Sequence, residues 1–297
     1  MPKHTTIYAL GFFDGVHRGH QLLMTRCRQM AKDLGLQAGA ITFDTPPESV
    51  IWQRPSVLIN TCADRELLLK RVGGMDRVVM LPFDQAMMRL NYRDFFRMLV
   101  DQYSAAGFVC GTDYRFGYKG EGNSEILMEL CREENIPCEV LPKLQQGGED
   151  ISSTRIRSLL LEGRVEDAND LLGHPHMLTG TVIPGKQLGR TIGSPTANLA
   201  LPEGLNCLRR GVYACKATVN GHTYPALTNV GTRPTVNGEG VNVEAWLLDF
   251  EGDLYGKILH LEFHHFLRPE VKFSCIEDLR AEIQKNALQT RNFFDKL

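Results

Sequence analysis

The feature that most restricts the fold of this chain is a change of rhythm near residue 179. Before it, Thr6–Leu10, Ala38–Phe43, Arg77–Leu81, Phe108–Cys110 and Cys138–Leu141 read as short strands. Between them Leu23, Cys27, Met30 and Leu34 recur at helical spacing, Phe95, Met98, Leu99 and Gln102 do so less cleanly, and Ile126–Cys131 adds another helical patch. Strands that alternate with helices predict parallel βαβ units in three layers, with ligands beyond the carboxyl ends of the strands. From about Thr179 the pattern becomes strand after strand. Val212–Val219 is followed by Asn220-Gly221 and then by His222–Val230, a strong hairpin signal. Val241, Val243, Ala245 and Leu247 alternate along the next run, and Ile258–Phe266 follows the turn at Glu251-Gly252-Asp253. Short strands joined by tight turns predict an antiparallel barrel. Phe273–Phe294 reads as a terminal helix, with Ser274 as N-cap and Glu277 completing a capping box.

A chain of 297 residues has room for two such domains. The boundary is expected near His174-Pro175-His176, after a helical stretch at Ser153–Leu172, which gives domains at 1–176 and 177–297. The net charge of −2, from 33 basic and 35 acidic side chains, offers no excess of positive charge for a nucleic acid or a membrane surface. The eight cysteines form no C-x-x-C pair and suggest neither a zinc site nor a disulfide framework. The apolar run Ile7–Phe13 is too short for a secretory leader, and no segment approaches the roughly 18 apolar residues of a membrane span. A cytoplasmic protein is expected, with no obligate protein partner implied.

Two segments carry candidate chemistry. Gly11-Phe-Phe-Asp-Gly-Val-His-Arg-Gly-His20 follows a strand and opens a helix. His17 and His20 are three residues apart, so they are expected to face together on the first helical turn. Glycines at 11, 15 and 19 allow close backbone approach, and a helix start favours phosphate. Imidazoles and backbone amides there suit the charge of a leaving pyrophosphate. Taken alone, the segment also fits a tight turn with two surface histidines. Ile151-Ser-Ser-Thr-Arg-Ile-Arg157 adds capping residues and two guanidinium groups near another helix start.

The second segment is Gly180-Thr-Val-Ile-Pro-Gly-Lys-Gln-Leu-Gly-Arg-Thr-Ile-Gly-Ser-Pro-Thr-Ala-Asn198, which lacks the Walker pattern. Thr196 and Asn198 lie two apart, so on an extended segment their oxygens face one side and suit Mg²⁺ with phosphate oxygens. Generic loop chemistry explains the glycines equally well. Glu244 falls on the strand face opposite Val243 and Ala245, where an ordinary solvent-facing residue is also expected.

Together these motifs resemble the bacterial bifunctional riboflavin kinase/FMN adenylyltransferases, or FAD synthetases. His17, Gly19 and His20 match the first ATP motif of their H-x-G-H nucleotidylyltransferase domain, and Ser153, Thr154 and Arg157 match the second. Gly111-Thr-Asp-Tyr-Arg-Phe-Gly117 resembles a G-x-D-F-R-F-G segment, which implies a substrate role for Asp113 and Arg115. In the second half, G-R-T-I-G-x-P-T-A-N, Asn229-Val-Gly-Thr-Arg-Pro234 and Val243–Phe250 occur in the order of the riboflavin kinase barrel.

The resemblance implies an α/β fold in which a Rossmann-like nucleotidylyltransferase domain precedes an antiparallel β-barrel riboflavin kinase domain with a terminal helix. It implies phosphorylation of riboflavin to FMN and adenylylation of FMN to FAD, with ATP as co-substrate, flavins as substrate and product, and Mg²⁺ at Thr196 and Asn198. Glu244 becomes the general base. His17 and His20 serve adenylyl transfer, and Gly11, Asp14, Gly189, Asn229 and Arg233 contact ATP or substrate. Pro46 stands where the family carries histidine, so a phosphate contact is lost and slower adenylyl transfer is expected. Ser194 replaces the usual phenylalanine. Two alternatives stand beside this reading: a riboflavin kinase with a weak or silent adenylyltransferase domain, and a non-catalytic flavin-binding regulatory protein.

Overall fold

The computed structural model describes residues 4–54, 56–185, 194–201, 208–235 and 238–296, and only the backbone at 233–235 and 238–240. Five strands, β1 (Thr6–Leu10), β2 (Gln37–Phe43), β3 (Arg77–Leu81), β4 (Ala105–Gly111) and β7 (Cys138–Leu141), form a parallel sheet in the order β3-β2-β1-β4-β7. Two-residue strands β5 (Arg115–Phe116) and β6 (Gly122–Asn123) make a small hairpin, as do β8 (Gln145–Gln146) and β9 (Glu149–Asp150). Helix α1 (Arg18–Leu34) turns Leu23, Met24, Cys27, Met30 and Ala31 onto β1, β2 and β4. Helices α2 (Pro47–Trp52), α3 (Cys62–Arg71) and α4 (Gln85–Arg89) lie in the connections on either side of β3. On α5 (Tyr92–Gln102), Phe95, Phe96, Leu99 and Val100 pack with Leu127, Leu130 and Cys131 of α6 (Ser124–Glu133) against Tyr8, Leu10, Phe108 and Cys110. Burial of the four α5 side chains contributes on the order of 6–12 kcal/mol before the cost of ordering the chain. The sheet is thus covered by helices, as the alternating pattern predicts.

The strand order gives this sheet its functional geography. From β1 the chain crosses to β2 and β3 on one side, then returns to β4 on the other. The order therefore reverses between β1 and β4, the position beyond whose carboxyl ends such sheets form their ligand crevice. The loops after β1 and β4 are the Gly11–His17 and Gly111–Asp113 segments.

The second half contains α7 (Ser153–Glu162), α8 (Val165–Leu172), a closed six-stranded barrel and the helix α9 (Ile276–Phe294). The helical stretch 153–172 is two helices, because Gly163 at φ 81° breaks it. Barrel strands β10 (His176–Ile183), β11 (Ala197–Ala200), β12 (Gly211–Val219), β13 (His222–Thr235), β14 (Gly238–Leu247) and β15 (Ile258–Arg268) close in the order β10-β11-β14-β13-β12-β15. The β12–β13 turn has φ 51° at Asn220 and 79° at Gly221, the double positive φ that an Asn-Gly hairpin supplies. Val243 and Ala245 are fully buried inside the barrel, while Glu244 and Trp246 point outward.

The terminal helix differs from expectation. It starts at Ile276, and its N-cap is Cys275, whose Sγ accepts from the Asp278 amide at 3.5 Å. Ser274 lies one residue outside and donates to Asp278 Oδ2 at 2.8 Å. Cys275 has the extended backbone (φ −144°) that an N-cap needs, so a weak sulfur acceptor takes the place expected for the serine oxygen.

By contacts the chain divides into two units, Met1–Ser56 with Arg65–Ser152, and Val57–Asp64 with Ser153–Leu297. Among the described residues no helix is long and apolar enough to cross a membrane.

Candidate active sites

The loop after β1 is built from its own side chains. A Cβ at Gly19 would lie 3.1 Å from the His17 ring, so any larger residue there would press the imidazole by a few tenths of an ångström. His17 is the N-cap of α1, and its Nδ1 accepts from the His20 amide at 3.3 Å. The His17 and His20 rings stack at 3.5 Å, with Phe13 edge-on to His20 at 5.2 Å. His17 and Asp14 are buried, 5 % and 2 % exposed. Desolvation, then the neighbouring His17 and then Arg65, hold His20 well below the ordinary imidazole value, so this ring is neutral. Among the described residues no group bonds the shielded His20 Nδ1. The ring as a whole is half-buried, and a neutral imidazole carries one N–H that can donate to a ligand oxygen.

Beyond β4, Asp113 is exposed and ion-paired with Lys143 at 3.1 Å. Arg115 is exposed on β5, and Phe116 between them and the core is buried against Phe95. The Asp113 and His17 segments therefore rise from adjacent strands at the crevice. After β2, Pro46 caps α2 without a side-chain hydrogen bond, and its carbonyl accepts from Ser49 Oγ at 2.7 Å and from the Ser49 amide at 2.9 Å. At the start of α7, Arg157 Nη2 donates to Thr154 Oγ1 at 3.2 Å, beside Ser153.

The second site lies on the outer wall of the barrel. The antiparallel register sets Glu244 opposite Asn198 on β11 and opposite Asn229 on β13, so three polar residues form one row across three strands. Paired residues in such a ladder share a face. Asn242 Nδ2 donates to Glu244 Oε1 at 2.8 Å, which orients the carboxylate. A cavity of about 390 Å³ opens here between the barrel wall and α9. Its lining combines the polar Ser194, Thr196, Asn229 and Glu244, with Arg268 and Asn286, and the apolar Leu227, Trp246, Phe273 and Ile283. Asn198 does not line it: its side-chain amide lies against the Gly185 backbone, where a Cβ would come within 2.1 Å. Gly189 lies outside the described residues, as does the side chain of Arg233.

Sequence reasoning missed two groups. Arg268 Nε donates to Asn286 Oδ1 at 2.8 Å at the cavity wall, and Asn286 is 2 % exposed. Arg65, fully buried on α3, lies beside the first loop. Neither has a local sequence signal, since charged and amide residues ordinarily face water.

Family models match both halves: FAD synthetase over residues 1–155 and riboflavin kinase over residues 172–294. A bifunctional riboflavin kinase/FMN adenylyltransferase from Listeria monocytogenes is 36% identical over 98% of this chain and 93% of the relative. The chain belongs to the bifunctional riboflavin kinase/FMN adenylyltransferase family. The enzyme of the same description from Bacillus subtilis is 33% identical over 98% of this chain and 93% of its own. A crystal structure described as a macrolide-efflux protein from Streptococcus pneumoniae has a TM-score of 0.84 and 31% identity, covering 97% of this chain and 94% of that one. Within the bifunctional family, the parallel-sheet half is the part matched as FAD synthetase and the barrel is the part matched as riboflavin kinase. The α/β fold with a barrel and a terminal helix is thus the one the resemblance implied.

Proposed function

We propose that this chain phosphorylates riboflavin to FMN on the barrel and adenylylates FMN to FAD at the β1–β4 crevice, consuming ATP in each step. Membership in the bifunctional family supports both reactions. The single observation that carries the kinase assignment is the row Asn198–Glu244–Asn229 beside a cavity lined by both polar and apolar side chains. An amphipathic flavin suits such a cavity: the ring meets Trp246, Leu227 and Ile283, and the ribityl chain runs toward Glu244. Glu244 then accepts the proton of the terminal ribityl hydroxyl as that oxygen attacks the γ-phosphorus. Its Oε1 is engaged by Asn242, which leaves Oε2 for the hydroxyl.

Thr196, Asn198 and Asn229 hold the ATP phosphates, with Gly189 and Arg233 contributing as the family resemblance implies. The donor set fits Mg²⁺: hydroxyl and amide oxygens are hard ligands, and no cluster of three or more His, Cys, Asp or Glu side chains occurs among the described residues to hold a softer metal. Thr196 and Asn198 would hold the ion, which neutralises phosphate charge when bound.

At the crevice His17 and neutral His20 hydrogen-bond the phosphates of the second ATP, supported by the α1 amino terminus. Gly11, Asp14 and Gly19 shape that pocket, Asp113 and Arg115 face the flavin substrate, and Ser153, Thr154 and Arg157 bind ATP as the family resemblance implies. We take 1–176 as the adenylyltransferase domain and 177–297 as the kinase domain, in a cytoplasmic enzyme. Glu244→Gln tests the base. FMN formation should fall at least 10³-fold with riboflavin binding kept and FAD formation from added FMN unchanged; unaltered FMN turnover would remove Glu244 from the chemistry. Pro46 favours a second reading, a kinase whose adenylyl transfer is slow, because the position supplies neither a ring nitrogen nor a backbone donor.

A further inference from the structure

The loop that carries His17 is strained. Phe13 has φ 58° and Val16 φ 42°, the left-handed region that a β-branched or bulky residue avoids, and both are buried. Such a loop keeps its shape only when its surroundings over-determine it. The described hydrogen bonds show what does so. The Phe12 carbonyl, at the start of the strained turn, accepts from Arg65 Nη1 at 3.1 Å and from Thr42 Oγ1 at 2.8 Å, so both its lone pairs are engaged. The other arm of the same guanidinium, Nη2, reaches the carbonyls of Phe43 at 2.5 Å and Asp44 at 3.4 Å beyond β2. The plane of the group lies over the Phe12 ring, 4.2 Å from its centroid. Arg65 is 0 % exposed.

We propose that Arg65 is a positioning residue for adenylyl transfer, a buried fork that ties the carboxyl ends of β1 and β2 and holds the Phe12–His20 loop in its reactive shape. The role rests on the crevice being the adenylyl-transfer site. A planar fork with two arms meets carbonyls of two different segments, the loop after β1 and the end of β2; a lysine ammonium on one stem does not reach both sets in the same way. Arg65 also acts through charge. His20 is faced by the stacked His17, by Phe13 and by Arg65 from α3, with Asp14 in the same loop, and the guanidinium is one of the groups that lower its proton affinity.

The test compares Arg65→Met and Arg65→Lys with the wild-type full chain. The expected result is a fall of 10- to 100-fold in kcat for FAD formation in Arg65→Met, with KM for FMN within twofold of wild type. Arg65→Lys, which keeps the charge without the two-armed fork, should leave kcat low. FMN formation on the barrel of the same molecules is the internal control and should stay within twofold. If Arg65→Met no longer unfolds cooperatively by circular dichroism, the decision passes to Arg65→Lys. A kcat within threefold of wild type, or a loss confined to KM, overturns the proposal. If wild-type protein forms no FAD, the site assignment has failed. The fork is then read separately by hydrogen exchange: amides 13–17 should exchange at least tenfold faster in Arg65→Met, and unchanged protection overturns it.

Discussion

His176 opens β10 at 1 % exposure, packed against Phe263 with ring centroids 5.6 Å apart. Neither of its ring nitrogens has a hydrogen-bond partner among the described residues. Burial, with a smaller push from His174, lowers its pKa from 6.5 to about 3. In the native state the ring is therefore neutral at pH 5, whereas in the unfolded chain it is protonated below about 6.5. The unfolded state then binds the extra proton, so the contribution of this group to stability is complete above about pH 7 and is lost as pH falls toward 3. From pH 7 to 5 the loss is about 2 kcal/mol, since each pH unit below 6.5 costs about 1.4 kcal/mol. His176→Leu removes the titration and the unmet ring nitrogens together. Urea unfolding followed by Trp246 fluorescence, in a Trp52→Phe background, reports the barrel. We expect wild type to lose about 2 kcal/mol more than His176→Leu between pH 7 and pH 5, because other titrating groups cancel in the difference. Equal pH dependence in the two proteins would mean that the ring is hydrated or charged in the native barrel, and the reasoning would fail.

Two further outcomes follow from local geometry. Replacing Cys275 by serine puts an oxygen where sulfur now caps α9, and should raise barrel stability by about 0.5–1 kcal/mol in the same unfolding assay. Pro46→His restores a ring nitrogen beside the crevice and should speed FAD formation from FMN severalfold without changing FMN formation, measured by chromatography of the flavins; no gain would remove Pro46 from the rate.

Much of this molecule is legible because its signals are local. Arg77–Leu81 and Cys138–Leu141 have the same bounds as β3 and β7, since each is a short apolar run between turn residues. Asn220-Gly221 is a two-residue turn because only such residues take two positive φ values cheaply. Glu244 turns outward as the alternation of Val243 and Ala245 requires. The start of α9 was displaced because a cysteine is rarely credited as a cap. The four-residue strand β11 is hidden between a proline turn and a glycine-rich segment. Non-local features left no trace at all. Arg65 in a charged helical stretch reads as solvent-facing, and only the carbonyls of the loop after β1 and of the end of β2, 21 to 53 residues away in the chain, make it an interior brace. The cavity on the barrel wall likewise depends on where α9 lies against β12 and β13.

The most direct test of the account is a time course with purified protein, riboflavin, ATP and Mg²⁺, separating riboflavin, FMN and FAD chromatographically. The account predicts FMN first and then FAD, with FMN formation abolished in Glu244→Gln. Riboflavin returned unchanged would contradict the kinase site, and FMN that accumulates without any FAD would contradict the adenylyl-transfer site.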